Sequence, residues 1–261
     1  AHFDVSDRVL YGQDNLIAVV IEPAPHEQPQ VGRTSLVRTH KSRMTYWWDF
    51  CPRMIHLGIW DDVWLEVTGE ARLDSVFVRP QLNADCTHAD VVVSLELDAL
   101  QARSARVETT LRYEGVVVAS GHADLAVAEG CTPFTQFLPI EHPRLWWPNG
   151  HGDQSLYEAE ITLYDADSTQ LDQRTVRFGV RRIELVRNDT PDLSARPYTF
   201  QVNGLKLFAK GWNWVPMDVL FGVPRPDKLE HLLTLAQRAH VNLLRIWGGG
   251  LIETEAFNNR C

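Results

Sequence analysis

Three consecutive glycines follow a short apolar run in the stretch RIWGGG, at residues 245–250. A glycine-rich loop after a strand can cradle a phosphate, leave room for a ligand or simply turn the chain. The stretch matches neither the G-x-G-x-x-G nor the G-x-x-x-x-G-K-[ST] pattern of phosphate-binding loops. We therefore expect a tight turn whose glycines keep side-chain bulk away from Trp247.

Tryptophan is the residue type that stands out in the composition, with nine copies. Several occur close together in the chain, namely Trp47 with Trp48, Trp146 with Trp147, and Trp212 with Trp214. Their flat faces can stack on the apolar faces of sugar rings, but a large aromatic core explains the same enrichment. Composition alone favours the core interpretation.

Carboxylates are the other side chains that could do chemistry near these aromatics. Glu253 and Glu255 lie two positions apart, so a helix would point them to different faces, and they are better suited to favouring a helix start than to acting as a catalytic pair. Asp49 lies between Trp48 and Phe50. By composition alone, Asp49 is typical of a turn.

Charge and cysteine usage narrow the classes of partner. The 261-residue chain has a formal net charge of −9, which argues against nucleic-acid binding and is indifferent to a neutral partner such as a sugar. No apolar run approaches the roughly 18–20 residues that span a membrane, and the first residues do not resemble a signal peptide.

No C-x-x-C pair or histidine cluster has metal-ligand spacing, so we expect no metal, no cofactor and reduced thiols. A cytoplasmic location is favoured. The thiols are Cys51, Cys86, Cys131 and Cys261.

The pattern from Val9 to about Leu185 predicts β-structure. Short runs rich in Val, Ile, Leu and Thr are separated by Gly, Pro, Asp and Asn, as in NLIAVVIEP, DDVWLEVTG, ADVVVSLELD, EGVVVASG and SLYEAEITLYD. Alternating polarity at residues 159–164 is typical of a half-buried antiparallel strand. This pattern predicts that the segment folds into one or more β-sandwiches. Residues 23–43 are rich in proline and then basic, which indicates a long exposed connection.

The pattern changes after about Leu185. Residues 198–208 predict a hairpin turned by Asn203-Gly204, and a short strand is expected at Phe208–Gly211. Leucines and alanines recur at helical spacing between Asp227, a candidate N-cap, and His240. VNLLRIW then predicts a buried strand. Strand, helix and strand make a parallel βαβ unit, the beginning of an α/β domain.

Five stretches carry motifs in order along the chain: FDVSDRVLYGQDNLIAV, HKSRMTYWWDFCPRMIHLGIWDDVWLEV, LWWPNGHGDQSLYEAEITLYD with VRFGVRRIEL, FQVNGLKLFAKGWNWVPMD, and VNLLRIWGGGLIETEAF. Together they resemble glycoside hydrolase family 2 and, within it, the β-mannosidase branch. The resemblance implies the end of a jelly-roll domain at 1–69, an immunoglobulin-like β-sandwich at 70–185, and the start of a (β/α)₈ barrel at 186–261. Three positions depart from the family pattern. Phe50 stands where the family more often has Trp, Cys51 where it often has Gly, and Trp212 where it usually has a small residue.

The resemblance also implies a retaining, exo-acting hydrolase of terminal β-linked mannose. Such enzymes use two carboxyl groups about 5–5.5 Å apart, which this family carries after the fourth and seventh barrel strands. The matched barrel segments reach only the second strand, so we expect the catalytic carboxylates outside this sequence. We expect the chain alone to be inactive and the rest of the barrel to be its partner.

Substrate-binding residues are what the resemblance implies within this chain. Trp247, at the end of the second barrel strand, would form a wall of the sugar pocket, or a structural part of the rim. Asp49, with Trp48 beside it, would reach the barrel mouth and bind sugar hydroxyls. Arg245 would bind pocket carboxylates or the sugar, or join an internal ion-pair network. Asn213 and Trp214, expected just after the first strand, would support the pocket or pack.

Three classes of function remain open from the sequence. The first is the β-mannosidase, with an exo-β-glucosaminidase or another family 2 glycosidase as its nearest alternative. The second is a non-catalytic carbohydrate-binding module, and the third is a structural scaffold. The βαβ unit favours the first, because a free-standing binding module has no reason to begin a barrel.

Overall fold

The computed structural model describes residues 2–27, 41–189, 194 and 197–261. Strands dominate it, which confirms the mainly β class. The strands are β1 (Ala71–Leu82), β2 (His88–Ala99), β3 (Arg103–Tyr113), β4 (Val116–Val127), β5 (Gly130–Glu141), β6 (Tyr157–Asp165), β7 (Gln170–Phe178), β8 (Ile183–Arg187), β9 (Tyr198–Val202), β10 (Leu205–Leu207), β11 (Gly211–Trp214) and β12 (Leu243–Ile246). The helices are α1 (Pro226–Arg238) and α2 (Glu255–Arg260), with a short 3₁₀ helix at Arg43–Tyr46. No helix in these described ranges is long and apolar enough to cross a membrane.

Seven strands form a β-sandwich from two antiparallel sheets. One sheet has the order β1-β2-β5 and the other β4-β3-β6-β7. Alternate residues of these strands point inward because the side-chain period of a strand is two. Val91, Val93 and Leu97 of β2 share one buried cluster with Ile161 and Leu163 of β6. The alternation at 159–164 therefore predicted an inner strand face correctly.

Asn203 and Gly204 turn the predicted hairpin between β9 and β10. Their φ angles are +48° and +84°, as a two-residue type I′ turn requires, and Val202 pairs with Leu205 across it. The Asn203 side chain has a second role, because its Oδ1 accepts from the Arg182 amide at 2.9 Å and its Nδ2 donates to the Trp146 carbonyl at 3.0 Å. The turn is thereby fixed to two neighbouring segments.

The predicted βαβ unit is present as β11, α1 and β12, although β12 is half-buried to exposed and not the buried strand that was predicted. The Leu243 amide donates to the Lys210 carbonyl (3.2 Å) and the Trp247 amide to the Trp214 carbonyl (2.9 Å). Both partners advance together along the chain, so the two strands are parallel. The first strand is nevertheless three residues later than predicted, because pairing with β12 and not local composition fixes its start. Phe208–Lys210 lies outside it.

Helix α1 differs from its prediction at both ends. It begins at Pro226, so Asp227 lies in the first turn and is not the N-cap. Proline suits that position because a first-turn amide has no partner within the helix. At the other end, His240 has a φ of +55°, and the Val241 amide donates to the Ala236 carbonyl at 3.0 Å. This left-handed C-terminal motif ends the helix before Ala239, which is exposed.

The runs NLIAVVIEP and DDVWLEVTG were predicted as strands, and this prediction is wrong. Leu16, Val20, Trp64 and Val67 are 83–95% exposed, and no strand precedes β1 in the described residues. A strand needs neighbours for its hydrogen bonds and a layer against its apolar face, and these runs have neither. The connection predicted at 23–43 lies largely outside the described residues. The domain limits at 69/70 and 185/186 stay predictions.

Two compact units contain these elements. One comprises residues 64–213 and 230–245 and includes the sandwich; the other comprises residues 1–63, 214–229 and 246–261. Of the candidate site residues, Asn213 and Arg245 belong to the first unit. Trp48, Asp49, Trp214 and Trp247 belong to the second.

Candidate functional site

Trp247 lies at the centre of an aromatic cluster, one residue beyond the end of β12. Its ring centroid is 5.4 Å from that of Trp48, tilted by 46°, and 5.6 Å from that of Phe50 in an edge-on arrangement at 81°. Both distances lie in the range in which aromatic rings attract each other. The structure thus brings together Trp48 and Trp247, two predicted site residues, and adds Phe50.

The glycines after Trp247 form the tight turn that the sequence predicts. The Gly250 amide donates to the Trp247 carbonyl at 3.2 Å, and the Ser42 hydroxyl donates to the Gly249 carbonyl at 3.2 Å. None of the three has a left-handed φ, and close approach is the reason for glycine at positions 249 and 250. A Cβ on Gly249 would lie 2.2 Å from Cζ2 of Trp247, and one on Gly250 would lie 2.6 Å from Cγ of Pro216.

Replacing Gly249 with alanine should therefore displace the Trp247 indole. The new methyl group would overlap the ring, and turning the indole away is the cheapest relief. We expect a shift of the Trp247 indole N–H signal in NMR spectra of Gly249→Ala. Gly248→Ala is the matched control, because a Cβ there meets nothing within 4 Å. Equal spectra for the two variants would contradict the packing argument.

Asp49 lies at the tip of the turn that carries Phe50. Trp48 and Cys51 exchange backbone hydrogen bonds of 3.4 and 3.3 Å, which leaves Asp49 and Phe50 as the two turn residues. Asp49 is exposed, so its carboxylate is available to accept hydrogen bonds. The turn interpretation and the binding interpretation are therefore compatible at this position.

Cys51 has a structural role below this turn. Its thiol donates to the Met44 carbonyl at 3.2 Å, and burial, with a smaller effect from the nearby Asp49 charge, raises the pKa of the thiol. A raised pKa keeps the sulfur protonated and unreactive. In the described part of the chain none of the four cysteines forms a disulfide.

Trp214 is held by a carboxylate that the sequence did not suggest as its partner. The indole Nε1–H donates to Oε1 of Glu253 at 2.7 Å, and its ring centroid is 4.9 Å from that of Phe257. Trp214 is buried at 4% exposure, which favours the supporting role over direct contact with a ligand. It is the last residue of β11 and does not follow the strand.

Glu253 and Glu255 are not placed as a pair. Helix α2 begins at Glu255 with Thr254 as its N-cap, whose hydroxyl accepts from the Phe257 amide at 3.4 Å. Glu255 therefore lies in the first turn, the position from which an acid is expected to favour the helix start. Glu253 instead accepts the hydrogen bond from the Trp214 indole. Sequence spacing could not indicate this contact, because the two residues come from different segments.

Asn213 and Arg245 lie on neighbouring strands of the βαβ unit. Nη1 of Arg245 donates to Oδ1 of Asn213 at 3.0 Å, and both side chains are exposed. Asn213 lies within β11 and not after it, which corrects its predicted position. No ion pair of Arg245 is present in the described residues, so its other donors are available to an oxygen-rich ligand. The same ranges hold no cluster of three or more His, Cys, Asp or Glu side chains placed to bind a metal.

Comparisons with known proteins identify the family. Residues 71–181 match the model of the glycosyl hydrolases family 2. Beta-mannosidase B of Emericella nidulans is 30% identical over 88% of this chain and 26% of its own length. The crystal structure of beta-D-mannosidase from Dictyoglomus thermophilum is 31% identical, with a TM-score of 0.76 over 85% of this chain and 27% of that one. The exo-chitosanase of Amycolatopsis orientalis is 25% identical, with a TM-score of 0.60 over 74% of this chain and 21% of that one.

The chain spans about a quarter of the length of the curated relatives it matches. Its sandwich carries the family match, and the curated beta-mannosidases extend the likeness to 88% of the chain. On these grounds the sandwich is a glycosyl hydrolase family 2 domain, and the chain resembles the β-mannosidase branch of that family.

Proposed function

We propose that the chain is part of a retaining, exo-acting glycosidase that removes terminal β-linked mannose from oligosaccharides or glycans. The observation that carries the proposal is the cluster of Trp48, Phe50 and Trp247 beside the exposed carboxylate of Asp49. An aromatic face and a carboxylate are complementary to the two sides of a sugar, since its C–H groups stack and its hydroxyls donate. The choice of mannose as the sugar rests on the relatives, which are named as beta-mannosidases.

Each residue has a role in this proposal. Trp247 is the wall against which the sugar ring packs, and Asp49 accepts hydrogen bonds from its hydroxyls. Arg245 offers donors beside Asn213, while Trp214, fixed by Glu253, supports the strand end. The catalytic carboxylates and the rest of the barrel complete the enzyme, and no cofactor is required by this chemistry.

An exo-β-glucosaminidase is the second candidate. The exo-chitosanase structure favours it, but it matches less of this chain than the mannosidase structure does, 74% against 85%, at a lower TM-score. Mannose and glucosamine differ at C2, where one carries an axial hydroxyl and the other an equatorial amine. A site that hydrogen-bonds one of these groups rejects the other strongly.

A substrate panel tests this proposal. We expect the complete glycosidase to hydrolyse an aryl β-mannoside with a kcat/KM at least about 100-fold above that for the matching aryl β-glucosaminide, because unpaired polar groups penalise the wrong sugar. An aryl α-mannoside serves as the stereochemical control. The reverse preference would assign the chain to the glucosaminidase.

The binding-module alternative has its own test. The chain would then bind mannose or manno-oligosaccharides tightly without the rest of a barrel. Titration of the 261-residue chain, followed by tryptophan fluorescence, measures this directly. Tight, saturable binding that Trp247→Ala abolishes would favour the module over the enzyme.

A further inference from the structure

Three neighbours lie against the Trp247 indole. Trp48 lies against the ring at a tilt of 46°. The Gly249 backbone lies so close that a Cβ there would be 2.2 Å from the ring. Phe50 meets the indole edge-on at 81°. An edge-to-face contact depends on the angle between the two rings, so the Phe50 contact bears directly on the tilt of the indole.

Phe50 is exposed, whereas Trp48 and Gly249 are partly buried. It is 41% exposed, although phenylalanine is ordinarily buried. Its ring packs against Trp247, at 5.6 Å between ring centroids. Among the described residues, the aromatic partner of Phe50 is therefore the proposed sugar wall.

The backbone couples Phe50 to Asp49. The two residues form the turn closed by the hydrogen bonds between Trp48 and Cys51. A change in how Phe50 packs on Trp247 therefore acts on the turn that carries the carboxylate. One turn therefore carries both Phe50, which contacts Trp247, and Asp49, the proposed hydrogen-bond acceptor.

We propose that Phe50 is a positioning residue whose edge-to-face contact sets the tilt of the Trp247 indole and thereby the fit of the sugar ring. The inference rests on the proposed function, which gives Trp247 its place beside the sugar. In an edge-to-face pair, the partial positive charge of one ring edge is attracted to the negative face of the other ring. Leucine has a similar volume but no aromatic ring, so it fills the space without making the contact that fixes the tilt of the indole.

The position of the indole can be tested without any substrate. A ¹⁵N-labelled chain has one indole N–H signal for each of its nine tryptophans, and Trp247→Phe identifies the signal of Trp247. We expect Phe50→Leu to shift or broaden that signal and Phe50→Tyr to restore it. Phe77→Leu is the matched control, because Phe77 is also exposed, at 62%, and lies on β1 of the sandwich.

Kinetics of the complete glycosidase test the consequence for the sugar. We expect Phe50→Leu to lower kcat/KM for an aryl β-mannoside about 3- to 10-fold, the worth of one aromatic pair. Phe50→Tyr should recover most of this, and Phe77→Leu should leave the rate unchanged.

The outcomes separate this inference from the proposed function. An unmoved Trp247 signal in Phe50→Leu overturns the inference, whatever the substrate. A moved signal with an unchanged kcat/KM for the β-mannoside overturns the link between the tilt and the sugar. A moved signal in an enzyme that does not hydrolyse β-mannosides supports the positioning of Trp247 and refutes the proposed function instead.

Discussion

Alanine in place of Gly211 should separate β11 from β12. A Cβ at this position would lie 1.6 Å from the backbone carbonyl oxygen of Leu243, far inside any possible contact. The obstacle is backbone, which cannot rotate away as a side chain does. We expect a loss of about 3 kcal/mol or more in the stability of this strand pair, at the upper end for overpacking.

Hydrogen exchange measures this loss locally. The Trp247 amide donates to the Trp214 carbonyl across the pair, so its protection reports on β11 and β12 directly. It should exchange faster in Gly211→Ala, while amides of β2 and β6, bonded within the sandwich sheets, keep their protection. Gly248→Ala, where a Cβ meets nothing within 4 Å, should match the original chain. Unchanged protection of the Trp247 amide would refute the steric argument.

Local chemistry explains which elements could be predicted from the sequence. Asn203-Gly204 predicted its turn because a type I′ turn needs two residues that tolerate positive φ. The alternation in β6 predicted a buried face because both neighbours of the strand are present. NLIAVVIEP carries an equally clear pattern, yet it forms no strand. The alternation of apolar and polar residues indicates which face a strand would bury. The strand forms only where a neighbouring strand is present to pair with it.

Pairing across the chain explains what the sequence could not predict. The start of β11 follows from its hydrogen bonds to β12, and composition placed it three residues early. Glu253 could be recognised as a poor catalyst from its spacing, but its bond to Trp214 depends on a fold that brings two distant segments together. The same is true of Phe50 and Trp247, whose contact has no signal in local sequence.

Loss of the Asp49 carboxylate should cost the complete glycosidase most of its activity. In the proposed site, this carboxylate accepts hydrogen bonds from two sugar hydroxyls. Each bond to a charged group contributes about 1.5–3 kcal/mol. We therefore expect Asp49→Ala to lower kcat/KM for an aryl β-mannoside by about 10²- to 10⁴-fold. The fold should be intact, because Asp49 is an exposed turn residue.

Asp49→Asn and Asp62→Ala make the result specific. Asparagine keeps one acceptor without the charge, so its activity should lie between those of Asp49→Ala and the original enzyme. Asp62 is exposed and lies outside the aromatic cluster, so Asp62→Ala should be fully active. If Asp49→Ala instead retains its kcat/KM, Asp49 is a turn residue only, and the sugar must be oriented by other groups. A large loss confined to Asp49 would mean that residues far upstream of the barrel segment supply part of the sugar site.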